Sequence, residues 1–282
     1  MKHFLPSLFF CLFYSSCWAG GEPFPIGAQS LGMGNATVSL RNQWSLFGNV
    51  GGMAGVEKLS AMAAFSSQYQ VPGLQVLALG AVLPTRRGNF GLAIQRFGDE
   101  LYSEHLVGLA YSHQINQVSI GLKVNYVQIA ISDLGSRSTL ALELGGVAQI
   151  LPQLSFGAYI YNFNQARLAD YQDERIPTLM KAGFSYQPSS QLLINAEVEK
   201  DIDFPAVFKT GMEYEIVKNV NLRTGISTFP FTQHFGAGIQ AKSLQFDYAV
   251  TSHPQLGLSH HLSLAYSFEK KKPQPVPENG RP

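Results

Sequence analysis

Val118-Ser119-Ile120-Gly121-Leu122-Lys123-Val124-Asn125-Tyr126 alternates without a break. Val118, Ile120, Leu122, Val124 and Tyr126 hold one register, and Ser119, Gly121, Lys123 and Asn125 the other. Successive side chains of a strand point to opposite faces, so this segment has one apolar face and one polar or small face. The same rhythm returns in Val220, Leu222, Thr224 and Ile226 against Asn221, Arg223, Gly225 and Ser227. It returns again in Leu244, Phe246, Tyr248 and Val250, and in Leu262, Leu264, Tyr266 and Phe268. A period of two rather than 3.6 makes the chain all-β.

Working outward, strands are expected near 57–70, 75–83, 89–97, 102–114, 117–131, 137–150 and 154–164. Seven more are expected near 177–187, 191–200, 206–216, 220–228, 233–241, 244–252 and 258–268. That makes an even number, about fourteen, most of them near the nine to eleven residues that a tilted membrane strand needs. Every second connection is a tight polar turn, while the alternate ones are looser, the longest being 165–176. Short turns on one rim and longer charged loops on the other mark a transmembrane antiparallel barrel. The uncharged run 59–85 has the hydropathy of a helix, but Pro72-Gly73 breaks it in the middle as a hairpin turn.

Composition agrees. Charged residues are 14% of the 282, against about 25% in an ordinary soluble domain. Lys+Arg 20 against Asp+Glu 19 leaves no basic surplus for nucleic acid. Residues 1–19 have a basic start, a short apolar run and Cys17-Trp18-Ala19, the shape of a cleaved secretory signal peptide. Tyr14-Ser15-Ser16-Cys17 also loosely matches a lipoprotein box, with Tyr14 where Leu is usual. Cleavage after Ala19 removes both cysteines, so the exported chain has no disulfide or thiolate chemistry. Three further segments are expected: a plug over 20–56, an outer-membrane barrel over 57–268 and a disordered periplasmic tail over 269–282.

Strands with an apolar face in lipid must close on themselves, because an open edge leaves N–H and C=O groups unpaired in hydrocarbon. Fourteen strands leave a lumen that side chains alone do not fill. Residues 20–56 are the candidate filler. Their glycines let the backbone pass close to the wall, and Met33, Gly34, Asn35, Trp44, Phe47, Asn49 and Met53 are the expected plug contacts. A flexible linker is the alternative, but linkers rarely carry Trp, Phe and two Met. Lys123, Glu143, Lys181, Glu197, Lys209, Glu213, Arg223 and Asp247 fall opposite the apolar face. They are expected to form a polar network in the lumen, since a Lys or Arg facing lipid at midplane costs about 2–4 kcal/mol.

Gly27-Ala28-Gln29-Ser30-Leu31-Gly32-Met33-Gly34-Asn35-Ala36, followed by Trp44-Ser45-Leu46-Phe47-Gly48-Asn49-Val50-Gly51-Gly52-Met53-Ala54, resembles the start of the PorV/PorQ family of outer-membrane proteins. That family groups with the FadL-like fatty-acid transporters. The chain keeps the family's Met33, Gly34, Ala36, Phe47, Asn49, Gly52, Met53 and Ala54. It has Gln29 for an Arg, Arg41-Asn42 for an acidic pair and Val50-Gly51 for Pro-Ala. The resemblance implies a fourteen-stranded barrel with an N-terminal plug in a Gram-negative outer membrane. It implies a non-enzymatic accessory role in type IX secretion, with secretion components as partners. The alternative is a FadL-like passive channel for fatty acids or hydrocarbons. Outer-membrane lipid surrounds such a barrel, and the end strand Leu262 to Phe268 resembles the segment read by the barrel-assembly machinery.

Chemistry is sparse, and no cofactor or metal is expected. Gly236-Ala237-Gly238-Ile239-Gln240-Ala241 matches a dinucleotide string but lies inside an alternating strand, where no helix follows. His260-His261 face opposite ways, which is poor ligand spacing. Ser103 and His105 share a strand face and raise a third reading, a lipid hydrolase, without an identifiable orienting acid.

Overall fold

A computed structural model describes Gly21, residues 23–168 and residues 175–269. The expected signal peptide and the tail beyond Glu269 lie outside the described residues. Fourteen strands form one sheet: β1 (Ser60–Ser67), β2 (Gln75–Thr85), β3 (Gly88–Gly98), β4 (Tyr102–Ile115), β5 (Val118–Ile131), β6 (Gly135–Leu151), β7 (Leu154–Tyr161), β8 (Leu179–Ser189), β9 (Leu192–Asp201), β10 (Val207–Val217), β11 (Val220–Thr228), β12 (Phe231–Ala241), β13 (Leu244–His253) and β14 (Gly257–Ser267). Each pairs antiparallel with its sequence neighbours, and β14 returns to β1 from Ser60↔Ser267 to Ser67↔His260. The sheet is a closed barrel with no edge, which is what hydrocarbon requires of a β-structure.

The two registers separate as their alternation predicts, with the polarity of a soluble core inverted. Leu109 on the outer face is 66% exposed, whereas Asp247 on the inner face is 0% exposed. Leu79, Ile94, Ile120, Phe184, Met212, Leu222, Phe235 and Leu264 continue the apolar outer band around the wall. Among the described residues every strand carboxylate lies on the inward register, from Glu104 on β4 to Asp247 on β13.

On one rim each turn has two residues, 86–87, 116–117, 152–153, 190–191, 218–219 and 242–243, and this proximal rim also holds the start of β1 and the end of β14. Asn116, Asn219 and Lys242 have positive φ there, the backbone that tight hairpins demand. The distal rim carries most of the longer connections, up to 162–178 between β7 and β8. In outer-membrane barrels the rim of short turns is the periplasmic one, and the proximal rim has that form.

The ends of the barrel differ slightly from the sequence reading. β1 starts at Ser60 rather than at 57, because Val56 is still buried and its carbonyl accepts from Asn89 Nδ2 at 2.8 Å. The last strand stops at Ser267, although Phe268 N–H still donates to the Leu59 carbonyl at 2.8 Å.

Candidate functional site

The segment that precedes β1 circles the lumen. It begins near the distal rim, where Gly21 N–H donates to Glu104 Oε2 at 3.0 Å and Phe24 stacks on Phe97 with centroids 4.2 Å apart. Helix α1 (Ala28–Gly32) then lies along β11 to β14, and its Ala28 N–H donates to Ser263 Oγ at 3.0 Å. The chain crosses β7 to β9 at Thr37 and Val38, and closes with short 3-10 turns at Gln43–Phe47 and Val50–Gly55. Asn42 and Asn49 accept from N–H groups at the start of those turns and so fix them without a long helix.

This backbone fits the wall because the wall has no side chains where it passes. A methyl group added to Gly121 would sit 2.7 Å from the Val50 carbonyl, and one added to Gly51 would sit 2.6 Å from Gly146 Cα. Gly32 and Gly236 meet in the same way, at 3.1 Å. Gly157, Gly211 and Gly225 also face plug backbone, at Val38, Met33 and Gly34. The glycine string near 236 is therefore part of a groove for the plug and of no nucleotide site.

Each expected plug residue has a definite place. Met33 is fully buried, with its sulfur 3.7 Å from Asn195 Nδ2. Gly34 has φ +67 and leaves only 3.0 Å between an added Cβ and the Thr210 carbonyl, so both conformation and space demand glycine there. Asn35 also has a positive φ, 55. Trp44 covers Gly27, Phe47 meets Gly80 and Met62, and Met53 meets Gly91. Asn49 does the most by hydrogen bonding, its Nδ2 donating to the carbonyls of Val38, Gly146 and Ala158 at 2.6, 2.8 and 3.2 Å.

Seven of the eight expected lumen residues fall into three ion-paired groups, and the eighth, Glu197, bonds to the plug instead. Lys123 Nζ lies 3.2 Å from Glu143 Oε1, and Asn125 Nδ2 donates to the same oxygen at 2.5 Å. Lys181 and Lys209 share Glu199 at 2.6 and 2.7 Å. Arg223 bridges Glu213 at 2.5 Å and Asp247 at 2.7 Å, and Gln29 of the plug reaches Glu213 at 3.2 Å. Glu197 holds the plug itself: its Oε2 accepts from both Thr37 N–H and Val38 N–H at 2.8 Å. Glu197→Ala should orphan two buried donors at about 1–3 kcal/mol each. The expected readout is a clear rise in protease or hydroxyl-radical labelling over residues 35–40, with the barrel still heat-modifiable on gels.

Sequence reasoning missed Glu104, Asn89 and His234, all buried on the inward register, and weighed His261 only as a metal ligand. Glu104 was legible, since it shares the register of Leu106, Gly108 and Ala110. Ser103 and His105 lie on the opposite, outward register, where among the described residues no strand carboxylate stands to orient the imidazole. His234 and His261 belong to an inward hydrogen-bonded chain: Ser66 Oγ to His261 at 2.9 Å, His261 to Thr251 at 3.1 Å, Thr251 to His234 at 3.0 Å. At the distal rim, outside the membrane span, Asp99 accepts from the Tyr102 and Leu101 N–H groups, which hold its carboxyl below the usual range.

The lumen is apolar on two sides. Trp44, Leu46, Val50 and Met53 of the plug pack on Met62, Val76, Val82 and Ala93 of β1 to β3. Toward the distal rim, Leu106, Val127, Ala141, Tyr159, Tyr161 and Ile176 form a second apolar surface on β4 to β7 and the connection after it. A cavity of about 20 Å³ lies there under Phe24, Phe97, Leu106 and Tyr161. A second, of about 30 Å³, lies among Trp44, Asn49, Tyr159 and Lys181. Each is small, with room for no more than a few waters at roughly 10–15 Å³ apiece. Below the plug a polar vestibule of about 520 Å³ opens between Arg41, Gln114, Gln149, Gln153 and Gln187.

No protein-family model and no curated protein matches the sequence. Solved structures do match. The CymD monoaromatic hydrocarbon channel aligns with a TM-score of 0.66 at 12% identity, over 89% of this chain and 100% of that one. The Ralstonia pickettii toluene transporter TbuX aligns at 0.68 and 14% identity, over 86% of this chain and 98% of that one. The P. putida toluene transporter TodX aligns at 0.61 and 12% identity, over 87% and 99%. These comparisons lend no support to the PorV/PorQ name or to the type IX secretion role. What they share with this chain is the fold, a closed fourteen-stranded antiparallel barrel.

Proposed function

We propose that this protein is a passive outer-membrane channel for small, uncharged hydrophobic molecules of the size of a single aromatic ring. The observation that carries the reading is the distal apolar surface of the lumen, Leu106, Val127, Tyr161 and Ile176 with Phe24 and Phe97 above it. The interior of a porin that passes hydrophilic solutes is polar and water-filled. Here an apolar molecule entering from the distal rim meets a surface that it can desolvate against. The fold shared with hydrocarbon channels supports the same class of solute.

The two small cavities correspond to a shut plug. Passage needs the head of the plug, Gly21 and Pro23 to Ile26, to leave Phe97 and Tyr161. Among the described residues its hydrogen bonds there are those of Gly21, at 3.0 Å to Glu104 and 3.4 Å to Tyr161, beside one ring stack of Phe24 on Phe97. The rest of the plug is held by many more contacts, so the head is the part that moves at least cost.

The test is uptake of radiolabelled toluene into proteoliposomes compared with glucose. Toluene uptake above protein-free vesicles, with glucose excluded, is expected. Phe24→Ala should accelerate toluene severalfold by loosening the head. Equal rates for toluene in the presence and absence of protein would remove the proposal.

A further inference from the structure

The proximal turns divide the rim into two arcs of different charge. Lys58, Arg86, Arg87, Lys218 and Lys242 are exposed, and none has an ion-pair partner among the described residues. They lie on neighbouring connections around the barrel: β10 to β11, β12 to β13, the junction of β14 with β1, and β2 to β3. The other three proximal turns are Asn116-Gln117, Pro152-Gln153 and Ser190-Gln191, with no charge at all. Three carboxylates share the basic arc. Glu215 is already occupied, accepting the Asn219 N–H at 2.8 Å, Glu57 lines the vestibule, and Glu269 is exposed. The arc keeps a net positive charge.

Height decides what these side chains meet. A two-residue turn cannot reach far past its strands, which rise about 3.3 Å per residue. The outward neighbours of these turns, Leu83, Phe90, Leu244 and Tyr266, are exposed apolar residues of the lipid-facing band. Tyr111 Oη also donates to the Arg87 carbonyl at 2.6 Å, which ties that turn to an aromatic ring on the outer face. The cations are therefore pinned where the apolar band ends, at the depth of lipid headgroups. A soluble acidic partner would have to approach below the headgroup surface to reach them.

We propose that the arc from β10 through the β14–β1 junction to β3 is a binding surface for anionic phospholipid in the periplasmic leaflet. Its ligand chemistry is a phosphodiester headgroup with a net negative charge, held by Arg86, Arg87, Lys218, Lys242 and Lys58. The glutamine-bearing arc on β4 to β9 has no such preference. This surface is independent of whether the lumen passes hydrocarbons.

The full mature chain reconstituted in vesicles of phosphatidylcholine with a minor share of phosphatidylglycerol, then excised with polymer into native nanodiscs, gives the test. Phosphatidylglycerol should be enriched about fivefold in the discs relative to the parent vesicles, the ratio expected for roughly one effective Lys or Arg contact per lipid. Arg86→Gln/Arg87→Gln/Lys218→Gln/Lys242→Gln should abolish the enrichment, while Gln117→Ala/Gln153→Ala should leave it intact. Should the quadruple variant fail to fold, wild-type protein at rising salt gives the same information, since an electrostatic preference falls as the Debye length shrinks. No enrichment in wild type, enrichment that survives the four substitutions, or enrichment indifferent to salt would each overturn the proposal. So would capture of an acidic periplasmic protein by this arc in vesicles that lack anionic lipid.

Discussion

Deleting residues 23–55 behind an intact signal should convert the barrel into an open pore, raising single-channel conductance in planar bilayers by an order of magnitude or more. Fourteen strands enclose a lumen too wide for wall side chains to fill. In the native chain the deleted segment supplies Met33, Trp44, Leu46, Val50 and Met53, all buried, and the three-carbonyl clamp of Asn49. Every hairpin of the wall is untouched by the deletion, so the sheet keeps its register. A milder version is Gly121→Val, which places a side chain 2.7 Å from the Val50 carbonyl and should produce intermittent openings. Conductance that stays at the native level in both variants would mean that these residues do not occlude the lumen.

Arg223→Met should be the most destabilising single substitution in the wall. Arg223 lies with Asp247 and Glu213 on three strands, at 2.7 and 2.5 Å, with its side chain 1% exposed. Removing the cation leaves two carboxylates without their partner, at about 3–5 kcal/mol for breaking a buried pair. The loss should appear as a lower urea midpoint for unfolding from detergent micelles, followed by Trp44 emission. Arg223→Met/Glu213→Gln/Asp247→Asn removes all three charges together and should recover most of the loss. A single variant as stable as wild type would show that water already screens the cluster.

The fold was legible because lipid imposes one rule at every position. Leu122 and Lys123 differ by one residue and by half a turn of the strand, so periodicity alone sorted outside from inside. Turn parity then gave the rims. The wall register also placed Lys123, Arg223 and Asp247 inward without any knowledge of their partners.

Partnering was another matter. Asp247 and Arg223 are two strands apart, and no local signal says that they meet rather than Arg223 and Glu143. The plug carried a plain compositional sign in its glycines, yet its path was illegible. That path depends on wall glycines such as Gly121, Gly157 and Gly225, whose absence of a side chain leaves no pattern to read. The distal apolar surface was the least legible part of the candidate site, because Leu106, Val127 and Tyr161 look the same in sequence as any other inward apolar residue.

The plug touches both ends of the sheet at once. Phe47 lies against Gly80 on β2, while Ala28 donates to Ser263 on β14, the last strand to be synthesised. A nascent sheet that lacks its final strand therefore offers an incomplete cradle. The seated plug and the closed β14–β1 seam lean on the same strands, so whatever loosens one loosens the other.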